Sequence, residues 1–177
     1  MEVIFIKKIV YLLFAIALIF SFTGCNKTVT NSDSSEESLL YKGNKGWKIA
    51  YDEQFFDINE ISQGKNIELN YKGDCKGSAY IEFAEVESKS AKDLIKEKQK
   101  EYASTSDVYE VKNDGKSGYV FYVPGITVDK SDGNDRYTSV EVLSLKNGSL
   151  VITSSQMLDD EMEVSDRIAD IINSVEI

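Results

Sequence analysis

The Asn147-Gly148 pair constrains the fold of this chain more than any other local feature. It separates two apolar segments, residues 140–145 and 150–153, as the two-residue turn of a β-hairpin does. Both turn residues are then expected to have positive φ. The predicted register pairs Leu145 with Leu150, Leu143 with Ile152 and Val142 with Thr153. Because apolar residues would lie on both faces of this hairpin, each face of its sheet needs a cover.

Alternating or apolar segments elsewhere predict further strands, at residues 47–51, 67–71, 79–86, 108–111 and 118–123. Residues 73–77 and 113–115 contain the glycine and aspartate that are typical of turns, so hairpins are expected there. The segment 118–123 (GYVFYV) is apolar on both faces and is expected to be a central strand. Residues 54–62 fit either a short helix or an irregular bulge that carries core residues.

Two segments have helical spacing instead. Ser90 is typical of a helix N-cap, and the helix that follows it is expected to end near Ala103. The apolar stripe of this helix consists of Ala91, Leu94, Ile95 and Tyr102. A second helix is predicted to begin near Asp159-Asp160, because acidic side chains suit the positive end of a helix dipole. Its buried residues are expected to be Val164, Ile168, Ile171, Ile172 and Val175.

The order of these elements resembles that of PsbP/Mog1-like domains. The resemblance rests on the opening segment Gly46–Tyr51, the helix start Ser90–Leu94 and the final segment Ile171–Val175. It implies an α+β fold over residues 43–177, in which helices cover both faces of an antiparallel β-sheet as an α/β/α sandwich. It also implies a family whose members mostly bind or assist partners, and it offers no invariant active-site motif.

The first 24 residues have the organisation of a secretory signal peptide. Lys7-Lys8 precede the unbroken apolar run Ile9–Phe20, and small residues follow before Cys25. A membrane-spanning anchor is the competing interpretation, but it needs about 20 consecutive apolar residues and polar residues interrupt this run on both sides. Residues 1–24 are therefore predicted to be a leader that is removed.

Thr23-Gly24-Cys25 resembles the end of a bacterial lipobox, although Phe22 stands where that pattern usually has leucine. The resemblance implies that Cys25 becomes the lipidated N-terminus and anchors the protein to the extracytoplasmic face of the cell membrane. Two or three acyl chains hold a protein there essentially permanently. Residues 25–42 are then predicted to be the lipidated cysteine and a flexible, polar linker, with 39–41 beginning to dock on the domain.

Composition excludes several classes of function. The chain carries 20 basic and 30 acidic residues, a formal charge of −10, so phosphate would be repelled and no nucleic acid partner is expected. It contains no histidine, which excludes histidine-based catalytic triads and metal sites. With two cysteines, a disulfide framework is excluded as well.

Three patterns suggest chemistry, and each has a simpler interpretation. Ser62 and Lys65 have the Ser-x-x-Lys spacing of some acyl enzymes, but the further motifs of that class are missing, so coincidence is favoured. Asp129–Asp135 offers oxygen ligands for calcium, but its spacing departs from the EF-hand loop, so a solvated turn is favoured. Cys75 is expected to be an exposed loop thiol rather than an intermolecular link, because Asp74 disfavours the thiolate.

These observations predict a membrane-anchored binding or accessory module without catalysis, whose partner is an envelope protein or envelope component. No catalytic residue, metal ligand or cofactor is assigned. The alternative is an extracytoplasmic hydrolase that uses a carboxylate pair. Most aromatic residues of the predicted strands should pack in the core, while some tyrosine hydroxyls line a groove; these residues are Tyr51, Tyr71, Tyr80, Tyr119, Phe121 and Tyr122.

Overall fold

The computed structural model describes residues 38–62, 65–75, 78–124, 136–158 and 160–177. The predicted leader 1–24, Cys25, residues 26–37 of the predicted linker and the Asp129–Asp135 loop lie outside these residues. Within the described ranges the elements are β1 (Leu39–Lys42), β2 (Lys48–Tyr51), β3 (Phe56–Ile61), β4 (Asn66–Tyr71), β5 (Tyr80–Val86), α1 (Ala91–Glu101), β6 (Tyr109–Asn113), β7 (Lys116–Pro124), β8 (Arg136–Leu145), β9 (Gly148–Met157) and α2 (Met162–Asn173).

Strands β3 to β9 form one seven-stranded antiparallel sheet in the order β3-β4-β5-β9-β8-β7-β6. Two meanders, β3–β5 and β6–β9, are joined along β5 and β9, and α1 connects them in the chain. Strands β1 and β2 form a separate two-stranded sheet. The predicted α+β fold with an antiparallel sheet is therefore confirmed.

Strand alternation divides the core into two clusters on opposite faces of the large sheet. We define face A as the face that carries Leu143 and Ile152, which pack with Val164 and Ile168 of α2 and with Trp47. Face B carries Val142 and Val151, which pack with residues of α1. The α1 residues buried there are Ala91, Leu94 and Ile95, as the sequence predicts. Ser90 caps α1, because its hydroxyl accepts the Asp93 backbone N–H at 3.2 Å.

The two helices do not clearly cover both faces of the sheet. Helix α1 packs mainly against β7 and β8 on face B, and α2 packs mainly against β2 and β9. Among the described residues, neither helix therefore makes extensive contact with β3 or with β6.

The segment 54–62, which fits either a short helix or a bulge in the sequence, contains strand β3. Phe56 is buried and the next residue, Asp57, is exposed, as alternation along a strand requires, and β3 pairs with β4.

The end of the predicted linker also forms a strand, β1, because Tyr41 packs on Trp47 with ring centroids 5.6 Å apart. Strand β7, predicted to be central, lies between β8 and the edge strand β6.

The predicted register of the Asn147-Gly148 hairpin is wrong by two residues. The structure pairs Leu145 with Gly148, Leu143 with Leu150 and Val142 with Val151. Gly148 has φ of 111°, whereas Asn147 does not have positive φ, so the turn is not the type with two positive values. A turn that ends in a left-handed glycine explains the shift. A two-residue shift leaves each side chain on its predicted face.

No helix among the described residues is long and apolar enough to span a membrane.

Candidate binding surface

Three tyrosines lie side by side on face A, at the edge of the sheet that ends with strand β6. Tyr109 on β6 is opposite Val120, Tyr122 on β7 is opposite Ser139, and Tyr137 lies two residues before Ser139 on β8. This register makes them diagonal neighbours, which aromatic side chains can bridge. The rings of Tyr122 and Tyr137 stack with centroids 5.8 Å apart, and those of Tyr109 and Tyr122 lie 6.5 Å apart. We call these three residues the tyrosine cluster.

The tyrosine cluster is open to solvent at one end. Tyr109 is 54% exposed, and it is the one aromatic residue among the exposed large apolar side chains of the described chain. Tyr122 and Tyr137 are half-buried. Within the same ranges none of the three hydroxyls makes a hydrogen bond to another protein group. The cluster therefore offers exposed ring surface at Tyr109, and no described residue uses its three hydroxyls.

The environment of Tyr122 and Tyr137 keeps their hydroxyls protonated. Burial raises the pKa of Tyr137 well above its ordinary value, and Tyr122 adds to the effect. Burial also raises the pKa of Tyr122, followed by the nearby carboxylate of Glu141 and by Tyr109. Both hydroxyls are consequently hydrogen-bond donors throughout the physiological pH range.

Glu141 occupies the sheet beside the tyrosine cluster. It lies between Val120 on β7 and Ile152 on β9, on face A, and is half-buried. Burial raises the pKa of its carboxyl group, and Lys116 partly opposes that shift. In the described part of the chain Glu141 makes no hydrogen bond and no ion pair. Apart from the electrostatic effect of Lys116, no described residue thus bonds to this carboxylate.

The sequence indicates the tyrosine cluster only in part. It predicts that Tyr122 either packs or lines a groove, but Tyr137 precedes the predicted strand 140–145, because β8 begins earlier, at Arg136. Tyr109 belongs to the predicted strand 108–111, yet nothing in the sequence marks it as a contact residue. The turn at residues 113–115 predicts the pairing of β6 with β7, but the pairing of β7 with β8 has no local sequence signal.

Ser62 and Lys65 do not form a nucleophile pair on a helix. They flank the turn between β3 and β4, where the Lys65 backbone N–H donates to the Ser62 carbonyl at 3.3 Å. The Lys65 Nζ atom lies 3.7 Å from a carboxylate oxygen of Glu87. Nothing in this geometry directs the lysine toward the serine hydroxyl.

Cys75 is not the exposed thiol that the sequence suggests. It is half-buried and packs against the face A cluster that contains Trp47 and Phe83. Cys75 follows β4 closely, and the β4–β5 pairing continues past it to the hydrogen bond from the Tyr71 backbone N–H to the Ala79 carbonyl, at 2.9 Å.

Arg136 is a buried charge that the sequence does not single out. It is 4% exposed and lies on face B over the ring of Tyr80, 5.8 Å from the ring centroid. Its Nε atom donates to Ser155 Oγ at 2.8 Å, and its Nη1 atom donates to Ser78 Oγ at 3.3 Å. These bonds join β8 to β9 and to the start of β5, so Arg136 stabilises the sheet.

Two carboxylates face each other on face B. Glu68 on β4 is paired with Glu82 on β5, and Glu68 also accepts a hydrogen bond from Asn70 at 2.8 Å. Burial raises the pKa of Glu82, and the neighbouring Glu68 raises it further. Like charges directly opposite in a sheet are destabilising.

We expect the substitution Glu82→Gln to stabilise the protein at pH 7 by about 0.5 kcal/mol, because it removes this repulsion. The folded-state pKa of Glu82 is raised, so the penalty develops as pH rises from the ordinary pKa of glutamate through the folded-state pKa. It disappears in more acidic solution, where the carboxyl is protonated in both states. Thermal melting of both proteins between pH 4 and pH 8 measures the effect. The exposed Glu60→Gln serves as control, and an equal gain there contradicts the assignment.

Two shallow clefts lie at the turn between β2 and β3. The larger, of about 470 Å³, is lined by Glu53, Asp57 and Lys72 among others. The smaller, of about 210 Å³, is lined by Asp52, Arg167 and residues near the end of α2. One Asp52 carboxylate oxygen is buried there without a hydrogen-bond partner in the structure. Three or more acidic or cysteine residues placed to hold a metal ion do not occur among the described residues.

Comparisons with known proteins extend the description of the fold. No protein-family model matches this sequence, and no curated protein matches it. A crystal structure from Bacteroides thetaiotaomicron VPI-5482 is similar, with a TM-score of 0.54 and 10% sequence identity over 81% of this chain. The match covers 48% of that protein, so this chain spans about half its length. At this identity the similarity concerns the fold alone.

Proposed function

We propose that this protein is a binding or accessory module of the cell envelope that acts without catalysis and contacts its partner through the tyrosine cluster. The observation that carries the proposal is the position of Tyr109, which is 54% exposed and lies beside two further tyrosine rings. Tyrosine is enriched among the few residues that supply most of the energy of protein interfaces. Its ring is apolar and its hydroxyl is a donor, which suits a surface that is buried only on binding.

The fold proposal is more specific than the α+β architecture described above. We assign the domain to the PsbP/Mog1-like α/β/α sandwiches, on the order of strands and helices and on the segments Gly46–Tyr51 and Ser90–Leu94. Helices α1 and α2 contribute to clusters on opposite faces of the sheet, which supports this assignment. The resemblance favours binding or assistance of a partner.

The membrane is the second proposed partner, through lipid at Cys25 after removal of residues 1–24. Support comes from the positive, apolar and small-residue segments that precede this cysteine. The anchor would hold the domain at the extracytoplasmic face, where an envelope protein or envelope component is the partner that it meets.

We expect Cys25→Ser to transfer the protein from the detergent phase to the aqueous phase in a two-phase detergent partition. The acyl chains supply about 0.8 kcal/mol for each buried methylene, and serine cannot carry the thioether-linked lipid. Cys75→Ser, which removes the other cysteine, is the matched control and should leave the partition unchanged. Retention of a signal-cleaved Cys25→Ser protein in detergent contradicts lipidation at this residue.

Tyr109→Ala is expected to abolish partner capture after mild cross-linking of the full chain in its membrane. Because the side chain is more than half exposed, the melting temperature should change little. Ile61→Ala is the matched control, since Ile61 is 44% exposed on the edge strand β3, away from the cluster. Loss of the same cross-linked partner from both variants, or from neither, contradicts the proposed contact.

The alternative function, a hydrolase that uses a carboxylate pair, would use the smaller cleft, where Asp52 and Asp170 are both lining residues. Arg167 lies in the same cleft. Asp52→Asn and Asp170→Asn separate the two functions: loss of a measurable turnover in both variants, with partner capture intact, favours the enzyme. Unchanged partner capture with no turnover in the unsubstituted protein favours the binding module.

A further inference from the structure

We propose that the tyrosine cluster recognises a lysine or arginine side chain of a protein partner, with Glu141 as its counter-ion. This inference rests on the proposed binding function and adds the chemistry of the partner. It concerns the charged group that the partner inserts beside Tyr122, on the part of face A next to β6.

Glu141 is the first step in the argument. Its neighbours across the sheet are Val120 and Ile152, and the next residue of β8 on this face is the buried Leu143. An apolar side chain would fit the same position and would place no charge in the protein. A half-buried carboxylate without a hydrogen bond or ion pair destabilises the folded state. A group kept at such a position at the expense of stability is typical of binding sites.

The described side chains around Glu141 offset its charge only in part. Lys116 acts on it electrostatically, but the hydrogen bond that the Lys116 Nζ atom makes is to the Asn173 carbonyl, at 3.1 Å. The Ser139 and Ser154 hydroxyls bond to each other, with their oxygens 2.7 Å apart. Among the described residues, no donor therefore uses the acceptor capacity of Glu141.

The tyrosine rings add a second attraction for a cation. A lysine or arginine head group over the face of a tyrosine ring is attracted by the ring quadrupole. Glu141 is opposite Val120, so it is a diagonal neighbour of Tyr122 on the same face, and Tyr122 stacks on Tyr137. The chain also carries a formal charge of −10, which favours the approach of a basic partner.

The geometry favours a side chain of a protein over a small cation. Small quaternary amines are held in cages of rings that surround them. Here the rings are stacked at 26° and tilted at 49° along three adjacent strands. At about 4.8 Å between strands, this surface is about 10 Å wide, which suits a polypeptide contact.

The test is a binding titration of the full chain, in a mild non-ionic detergent, with a fluorescent twelve-residue Gly-Ser peptide that contains three lysines. We expect Glu141→Gln to weaken binding at least about tenfold, as for the loss of a charge-assisted contact. Glu82→Gln is the matched control, because it removes one half-buried carboxylate from the opposite face; it should change affinity less than about twofold. The same peptide with acetylated lysines should not bind.

Three results overturn the inference. Equal weakening by Glu141→Gln and Glu82→Gln would show general charge attraction, and unchanged binding by Glu141→Gln would remove the counter-ion role. Methylammonium that competes at the same concentration as the peptide would identify a small-cation site. If Tyr109→Ala still abolishes partner capture while Glu141→Gln leaves it intact, the proposed binding function is supported and only the assignment of Glu141 as counter-ion is wrong.

Discussion

Gly148→Val is expected to lower the free energy of unfolding by about 3 kcal/mol, through backbone strain and a steric clash together. Gly148 has φ of 111°, which a β-branched residue resists. A Cβ atom at this position would lie 2.2 Å from the carbonyl oxygen of Val86, a backbone atom that is fixed in strand β5. The glycine therefore permits both the turn and the close packing of β9 against β5.

Thermal melting measures this effect, with Gly115→Val as the matched control. Gly115 also has positive φ, 80°, in the turn between β6 and β7, but a Cβ atom there would have no other atom within 4 Å. The control should therefore show strain alone, a loss of about 1–2 kcal/mol. At about 2–4 °C for each kcal/mol, the two melting temperatures should differ measurably. Equal melting temperatures would contradict the close approach of Gly148 to Val86.

Trp47→Ala is expected to destabilise the domain by about 4 kcal/mol, the range typical of a large aromatic residue lost from a core. Trp47 is completely buried, and its ring stacks on Phe83 with centroids 5.3 Å apart. Its Nε1 atom donates to Glu85 at 2.7 Å. Through this stacking and this hydrogen bond, Trp47 connects the β1–β2 hairpin to β5 of the large sheet.

The conservative Trp47→Phe separates packing from hydrogen bonding at this contact. It keeps an aromatic ring against Phe83 but removes the donor to Glu85. We expect a smaller loss, of about 1–2 kcal/mol, because Glu85 still accepts the Lys45 backbone N–H at 3.0 Å. Chemical denaturation of both variants measures the difference. A loss below about 1 kcal/mol for Trp47→Ala would show that the hairpin does not belong to the core.

Local patterns predict most of the secondary structure because each element is amphipathic or has a clear end. Ser90 caps α1 as predicted, and Val164, Ile168 and Ile171 are the buried residues of α2. The predicted register of the β8–β9 hairpin is wrong, since the Asn147-Gly148 pair permits more than one turn and backbone φ decides between them. Strand β3 is ambiguous in the sequence, because Phe55 and Phe56 interrupt the alternation that would indicate it.

The candidate surface can be predicted only to the level of its residue types. Tyrosines in strands are visible in the sequence, but their meeting on face A depends on pairing between β6, β7 and β8. The same pairing makes Glu141 a diagonal neighbour of Tyr122. Contacts between residues this far apart in the chain follow from the order of strands in the sheet, which local periodicity does not contain.

Site-specific photo-cross-linking in the cell measures the central claim, contact through the tyrosine cluster, most directly. A photoreactive phenylalanine analogue replaces Tyr109 in one variant and Ile61 in another, both of which are exposed side chains on opposite edge strands of the same sheet. We predict a specific adduct of one defined mass from position 109 and none from position 61. An adduct from position 61 with none from position 109 would contradict contact through the tyrosine cluster.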